Sequence, residues 1–244
     1  MADTTGSGVS PAVPWATERL RAAAEAAAQR CPDVGLILPG GVEPPDQVRE
    51  SALVATLREF DASRRLDMGV LAQRLRVSRS TLYRQAGDRE QVLGQALWWR
   101  ARMVYALVLD HTATQAGFER IMNVLGPVVR IYSLSPSLRR FIEQEPQASL
   151  RVLTDPQGII QPGVITVTAA LLDMESAKGQ LEFTIELPTL AYAVVRLCES
   201  FMYSDVRVRR QPDIENCLRV VSSLLAGSLR PRAAGDATIG LRPG

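Results

Sequence analysis

The chain has 244 residues, 46% hydrophobic and 22% charged, with a formal net charge of +2. That length and apolar content suffice to bury a sizeable core in one large domain or two small ones. So small a net charge excludes attraction to nucleic acid by an overall field, so any nucleic-acid surface has to be a local patch. Cys31, Cys198 and Cys217 are far apart and in no metal-ligand spacing, which reads as reduced thiols in a cytoplasmic protein with no metal. The start lacks the basic and apolar segments of a signal peptide, and no run approaches the ~18 uncharged apolar residues of a membrane span. No membrane partner is expected.

Residues 1–46 read as a flexible N-terminal extension carrying one helix. Residues 1–14 are small and polar and are expected to be disordered. Ala16–Arg30 is alanine-rich, with high helix propensity and weak amphipathicity. Pro32–Asp46 carries seven Pro and Gly residues (32, 35, 39, 40, 41, 44 and 45) and reads as a linker, so the helix before it is expected to hang on a tether.

From Gln47 the pattern turns helical, with Val48, Leu53, Leu57 and Phe60 on one face and a break over 61–65. Leu66 and Asp67 then look like a hydrophobic staple and an N-cap, opening a short helix with Leu71, Ala72 and Leu75 inward. After a turn closed by Val77, Ser78 stands at the cap of a second helix on which Leu82 points inward. Arg79, Ser80, Thr81, Tyr83 and Arg84 are left for a partner. Hydroxyls, a phenol and guanidinium groups are what phosphates and base edges bond. Gly87 ends this helix, and Asp88 with Gln91 forms a capping-box pattern opening a long helix to about Asp110. Residues 47–92 thus read as a helix-turn-helix DNA-binding domain. Between Arg74 and Arg89, five arginines (74, 76, 79, 84, 89) against one acid (Asp88) make its local basic patch. In a chain with one lysine, Lys178, and 27 arginines (28 − 1), a merely solvated face is the plain alternative.

Residues 93–229 continue as helices: Phe118–Tyr132 with a kink at Pro127, one opened by Ser135 and Pro136, a short piece over 147–153, Val164–Met174, Leu187–Tyr203 and Pro212–Ala226. Only 179–186 looks strand-like, and one run cannot make a sheet. The tail, 230–244, is Gly- and Pro-rich and is expected to be disordered. The fold class is all-α, an N-terminal three-helix DNA-binding domain followed by a helical domain for ligand binding and dimerisation.

Within that second domain, Trp99, Met103, Met122, Tyr132 and Phe201 are candidates to line a small-molecule pocket, although ordinary core is the plainer reading of each. Val194 and Cys198 on one helix, with Ile214, Leu218, Val221 and Leu225 on the last, form apolar stripes that suit a four-helix dimer seam or burial within one subunit. Val206–Arg210, VRVRR, reads as a solvated loop rather than a second basic patch. His111 is the sole histidine, and neither GxSxG, a phosphate-binding loop nor HExxH occurs, so an enzyme is not expected and no cofactor is called for.

The run VSRSTLYRQAGDREQV, followed by a long helix and an all-helical remainder, resembles the TetR family of bacterial regulators. The run AYAVVRLCESFMYSDVRVRRQPDIENCLRVVSSLL is similar to that family's QsdR-like subgroup. The resemblance implies a homodimeric regulator, most often a repressor, on a pseudo-palindromic double-stranded DNA operator, responding to a small-molecule effector. It assigns phosphate contacts to Thr81, Tyr83 and Arg89, and base or backbone contacts to Arg79, Ser80 and Arg84. Three positions depart from the family pattern: Arg76 for a turn Gly, Ala86 for Phe, and Arg89 for Lys. These departures leave open a degenerate helix-turn-helix scaffold in a ligand- or protein-binding module that reads no DNA.

Overall fold

The computed structural model describes residues 17–38, 40–44, 50–178, 181–207 and 210–230. The expectations for residues 1–16, for Gln47 and Val48, for 231–244 and for part of VRVRR lie outside them. Twelve α-helices occur among the described residues: α1 (Thr17–Arg30), α2 (Asp33–Ile37), α3 (Glu50–Asp61), α4 (Met68–Arg74), α5 (Arg79–Ala86), α6 (Arg89–His111), α7 (Gly117–Ser133), α8 (Pro136–Gln144), α9 (Pro146–Thr154), α10 (Ile160–Ala177), α11 (Leu187–Arg207) and α12 (Ile214–Gly227). The fold is all-α. The strand-like run supplies one isolated antiparallel bridge, Phe183 to Leu229. No helix among the described residues is long and apolar enough to cross a membrane.

Local chemistry sets most helix starts. The Asp67 carboxylate accepts from the backbone N–H of Gly69 and Val70 at 2.6 and 3.0 Å, and Ser78 Oγ accepts from Thr81 N at 3.0 Å. Asp88 and Gln91 close both halves of a capping box, at 2.9 and 2.8 Å. Ser135 and Asp213 cap α8 and α12 in the same way. The start of α10 differs from expectation: it begins at Ile160, so Pro162 lies in its first turn, where a missing N–H costs nothing.

The long helix α6 is the axis of the molecule. Val92, Trp99, Met103, Val104 and Val108 have no exposed surface, because α1, α3, α7, α9 and α10 surround it. The first helix does not hang on the expected tether. Leu20, Ala24 and Ala27 are fully buried as α1 lies along α6, and the supposed linker contains α2, whose Val34 and Ile37 are buried too. Small side chains let two helix backbones approach closely, so an alanine-rich face packs without a strong apolar stripe. The indole N–H of Trp99 donates to the Val42 carbonyl at 2.9 Å, and Arg102 donates to the carbonyls of Gly40 and Glu43. Ion pairs Arg58–Glu18 and Arg21–Glu50 join α1 to α3.

The stripe assigned to a dimer seam is also corrected. Val194, Leu218, Val221 and Leu225 are buried within the single chain, where α11 and α12 pack on each other and α12 on α7. Cys198 and Ile214 are half-buried. The faces of α11 and α12 turned to solvent carry other residues, including Tyr192 and Val220.

Candidate functional site

The α4–α5 pair forms one candidate surface. The turn between them is held by Val77 N donating to the Ala72 carbonyl at 3.1 Å, and it places Arg76 at φ 55°. That is the left-handed region where glycine is usual, and an arginine there bears a cost of about 1 kcal/mol. Leu82 and Ala86 are buried against the small domain, which turns Arg79, Ser80, Tyr83 and Arg84 outward. Ser78 Oγ lies 2.9 Å from Ser80 Oγ and 2.8 Å from Thr81 Oγ1, a cluster of hydroxyls at the helix start. The Arg79 guanidinium lies over Gly69 beside Asp67, whose carboxyl is held low chiefly by the Val70 and Gly69 N–H groups and also by Arg79.

Arg89 is placed differently from its expected phosphate role. Its Nε donates to the Leu66 carbonyl at 3.0 Å and its Nη2 to Glu145 Oε1 at 2.7 Å, with the side chain only 19% exposed. The guanidinium ties the start of α6 to the corner after α3 and to the α8–α9 junction. A further clamp lies nearby. Arg140 donates to Ser63 Oγ at 2.9 Å, Ser137 Oγ to the Asp61 carbonyl at 3.3 Å, and Phe60 meets Phe141 edge-on at 5.9 Å.

The second candidate site is a cavity of about 120 Å³ enclosed by α6, α7, α10 and α11, with walls that are largely apolar. Of the five residues expected to line it, Tyr132 does and the others do not. Trp99 is turned to the extension through Val42, Met103 is fully buried elsewhere on α6, and Met122 and Phe201 pack against the core outside the wall. Val194 and Cys198, read as seam residues, line the cavity instead. Phe60, from the last turn of α3, reaches into the wall, so the cavity touches the small domain directly.

Its polar groups form two poles. At one, Gln161 Nε2 donates to both Glu199 oxygens at 2.9 and 3.0 Å, and Arg196 Nη1 bonds Glu199 Oε2 at 2.7 Å. Burial pushes the Glu199 carboxyl up against those partners. At the other, Arg100 is 3% exposed and bonds Asp61 bidentately, Nη1 to Oδ1 and Nη2 to Oδ2, both at 2.7 Å. Beside it Tyr132 Oη is buried with no hydrogen-bond partner. Burial pushes the Tyr132 phenol up and the Arg100 guanidinium draws it partly back. Tyr105 and Tyr203 are likewise pushed up by burial, so all three phenols keep their protons at neutral pH. Cys198 is pushed up too, by its hydrogen bond with Cys217 and by burial, which makes it a poor nucleophile. Among the described residues no group of three or more His, Cys, Asp or Glu is arranged to hold a metal.

The family described as "Tetracyclin repressor-like, C-terminal domain" matches residues 116–226, the cavity-bearing half. Among solved structures, the transcriptional repressor QsdR of R. erythropolis, from the TetR family, is 32% identical with a TM-score of 0.66. That match covers 78% of this chain and 100% of the QsdR chain. The chain belongs to the TetR family. No curated protein matches it.

As a TetR-family member the chain is a DNA-binding transcriptional regulator, and its likeness extends to the QsdR-like subgroup. Sequence reasoning missed Arg100, Asp61, Gln161 and Glu199. An arginine or glutamate in a helix reads as a surface residue unless its register against neighbouring helices is known. Arg100 carried one legible signal. It sits between Trp99 and Ala101, in a helix whose every other face carries apolar residues apart from Arg102, where a charge requires a partner.

Proposed function

We propose that this TetR-family regulator is a homodimeric repressor that reads a pseudo-palindromic operator and is released by a small molecule bound in the cavity of α6, α7, α10 and α11. The carrying observation is that one residue, Arg100, lines that cavity and also bonds Asp61 at the end of α3. An occupant therefore sits within reach of the small domain. Arg79, Ser80, Thr81, Tyr83 and Arg84 would meet phosphates and base edges in the major groove, with Arg89 serving the domain junction. The repressor role follows the R. erythropolis relative, which is itself a repressor. The dimer would form through the outward faces of α11 and α12, where Tyr192 is 52% and Val220 42% exposed. Its reading helices would then enter successive major grooves ~34 Å apart. The effector acts only if it binds one arrangement of the two reading helices better than the other.

In vitro selection from random duplex DNA at near-physiological salt tests this. Enrichment of one inverted repeat is the expected result. A folded protein that enriches no sequence overturns the reading and leaves the cavity-bearing half as the working part of a ligand- or protein-binding module.

A further inference from the structure

The cavity's two poles differ in what they leave open. The Glu199 carboxylate is already engaged by Gln161 and Arg196, three contacts between 2.7 and 3.0 Å. The Tyr132 hydroxyl is buried, has no partner, and lines the same cavity as the Arg100 guanidinium. An unpaired buried hydroxyl is costly, so a polar atom delivered there gains more than it would at the satisfied pole. Two donors, one of them cationic, recognise an acceptor carrying negative charge. The remaining wall is apolar. On the measure by which one water needs ~10–15 Å³, a cavity of about 120 Å³ holds about ten non-hydrogen atoms.

We propose, resting on the effector reading above, that the cavity takes an aliphatic carboxylate of about that size, and that the Arg100–Asp61 pair reports its arrival to the DNA-reading domain. Arg100 is 3% exposed whereas Asp61 is 37% exposed, so the pair faces water on the Asp61 side and the apolar cavity on the other. A carboxylate placed at the dry side competes for the same guanidinium in a medium where charge attraction is stronger. Asp61 then loses its bidentate partner. What still holds the end of α3 is the Ser137 bond to the Asp61 carbonyl, the Arg140 bond to Ser63 and the Phe60–Phe141 contact. Arg100 and Asp61 are positioning residues here, because neither touches DNA.

Three probes of equal chain length separate the poles: octanoate, 1-octanol and octylamine, titrated calorimetrically into the full chain without DNA. Octanoate is expected to bind at least about tenfold more tightly than 1-octanol, with octylamine weakest, and Tyr132→Phe to weaken octanoate several-fold. Asp61→Asn is the decisive variant, since it changes a half-exposed side chain outside the cavity. Removing the competitor should tighten octanoate several-fold, which a purely structural role for Asp61 would not produce. On the selected operator, Asp61→Asn should lower ligand-free affinity to that of octanoate-bound wild type and abolish the octanoate response. Equal binding of octanoate and 1-octanol, no binding of any probe, or unchanged octanoate affinity in Asp61→Asn overturns the proposal. These binding arms need no operator, so they fail independently of the repressor reading.

Discussion

Arg120 and Glu175 form an ion pair with neither side chain exposed, Nη1 to Oε1 at 3.0 Å. Asp33 of α2 reaches the same Arg120 Nη1 at 2.7 Å, and Lys178, the only lysine, bonds Glu175 at 3.0 Å. Glu175 Oε2 also accepts from Gly117 N at 2.6 Å, at the start of α7. One buried cluster therefore pins α2, α7 and α10 together. Removing one member leaves the other charges buried without their partner, which is the costly way to break such a cluster. Arg120→Ala is expected to lower unfolding free energy by about 3–5 kcal/mol, read from urea midpoints at constant m. An unchanged midpoint would mean the cluster contributes nothing net.

A cluster like this is invisible in sequence because Asp33 of α2, Arg120 of α7 and the Glu175–Lys178 pair at the end of α10 are far apart along the chain. The caps at Asp67, Ser78, Asp88 with Gln91, and Ser135 were legible because each is closed within three residues. The buried role of α1 was half legible. Leu20, Ala24, Ala27, Cys31, Val34 and Ile37 recur at helical spacing, yet the seven Pro and Gly residues of 32–46, two of them among these positions, suggested a tether. The stripe on α12 was seen correctly and given the wrong partner. An apolar face records that it is covered, and only the arrangement of α7 and α11 says by what.

Helices α1 and α2 are consequently part of the core. Deleting residues 1–44 uncovers the face of α6 on which α1 lies and removes the carbonyls that Trp99 and Arg102 bond. The truncated chain is expected to lose cooperative unfolding or to aggregate, with Trp fluorescence shifted towards that of exposed indole. A truncated chain melting at the full-length temperature would return the arm to the status of an appendage.

Gly163 and Gly94 should respond in opposite directions to alanine. A Cβ at Gly163 would stand 2.5 Å from the Trp98 ring, so the indole must move, whereas at Gly94 the nearest atom is Ile159 Cγ2 at an ordinary 3.5 Å. Gly163→Ala is expected to destabilise by about 1–3 kcal/mol through overpacking. Gly94→Ala, inside α6, is expected to gain up to about 1 kcal/mol of helix propensity. Thermal melts of the two variants check the signs, and a loss at Gly94 would point to a need for bending there.

Glu59 supplies a pH dependence. The Arg64 and Arg74 guanidinium groups hold its carboxyl at about 2, against burial acting the other way. A depressed carboxyl contributes stability that is fully present above its unfolded value near 4.5 and is lost as pH falls towards 2. The wild-type chain should therefore lose stability between those values more steeply than Glu59→Gln, while the two run parallel above pH 6. Parallel curves throughout the acid range would show that Glu59 titrates alike in the folded and unfolded chain.

Arg84 and Arg89 of the basic patch stand in different surroundings. Arg84 is exposed on α5, while Arg89 is spent on Leu66 and Glu145. If Arg84 meets a phosphate, Arg84→Ala should weaken operator binding and reduce the slope of log affinity against log salt by about 0.9. Arg89→Ala should leave that slope nearly unchanged and lower the melting temperature instead, because Glu145 loses its close partner at the domain junction. Both are read from salt titrations of operator anisotropy paired with thermal melts. A reduced salt slope in Arg89→Ala would mean that DNA draws this guanidinium off Glu145 and onto the backbone, and that the junction opens as the operator is bound.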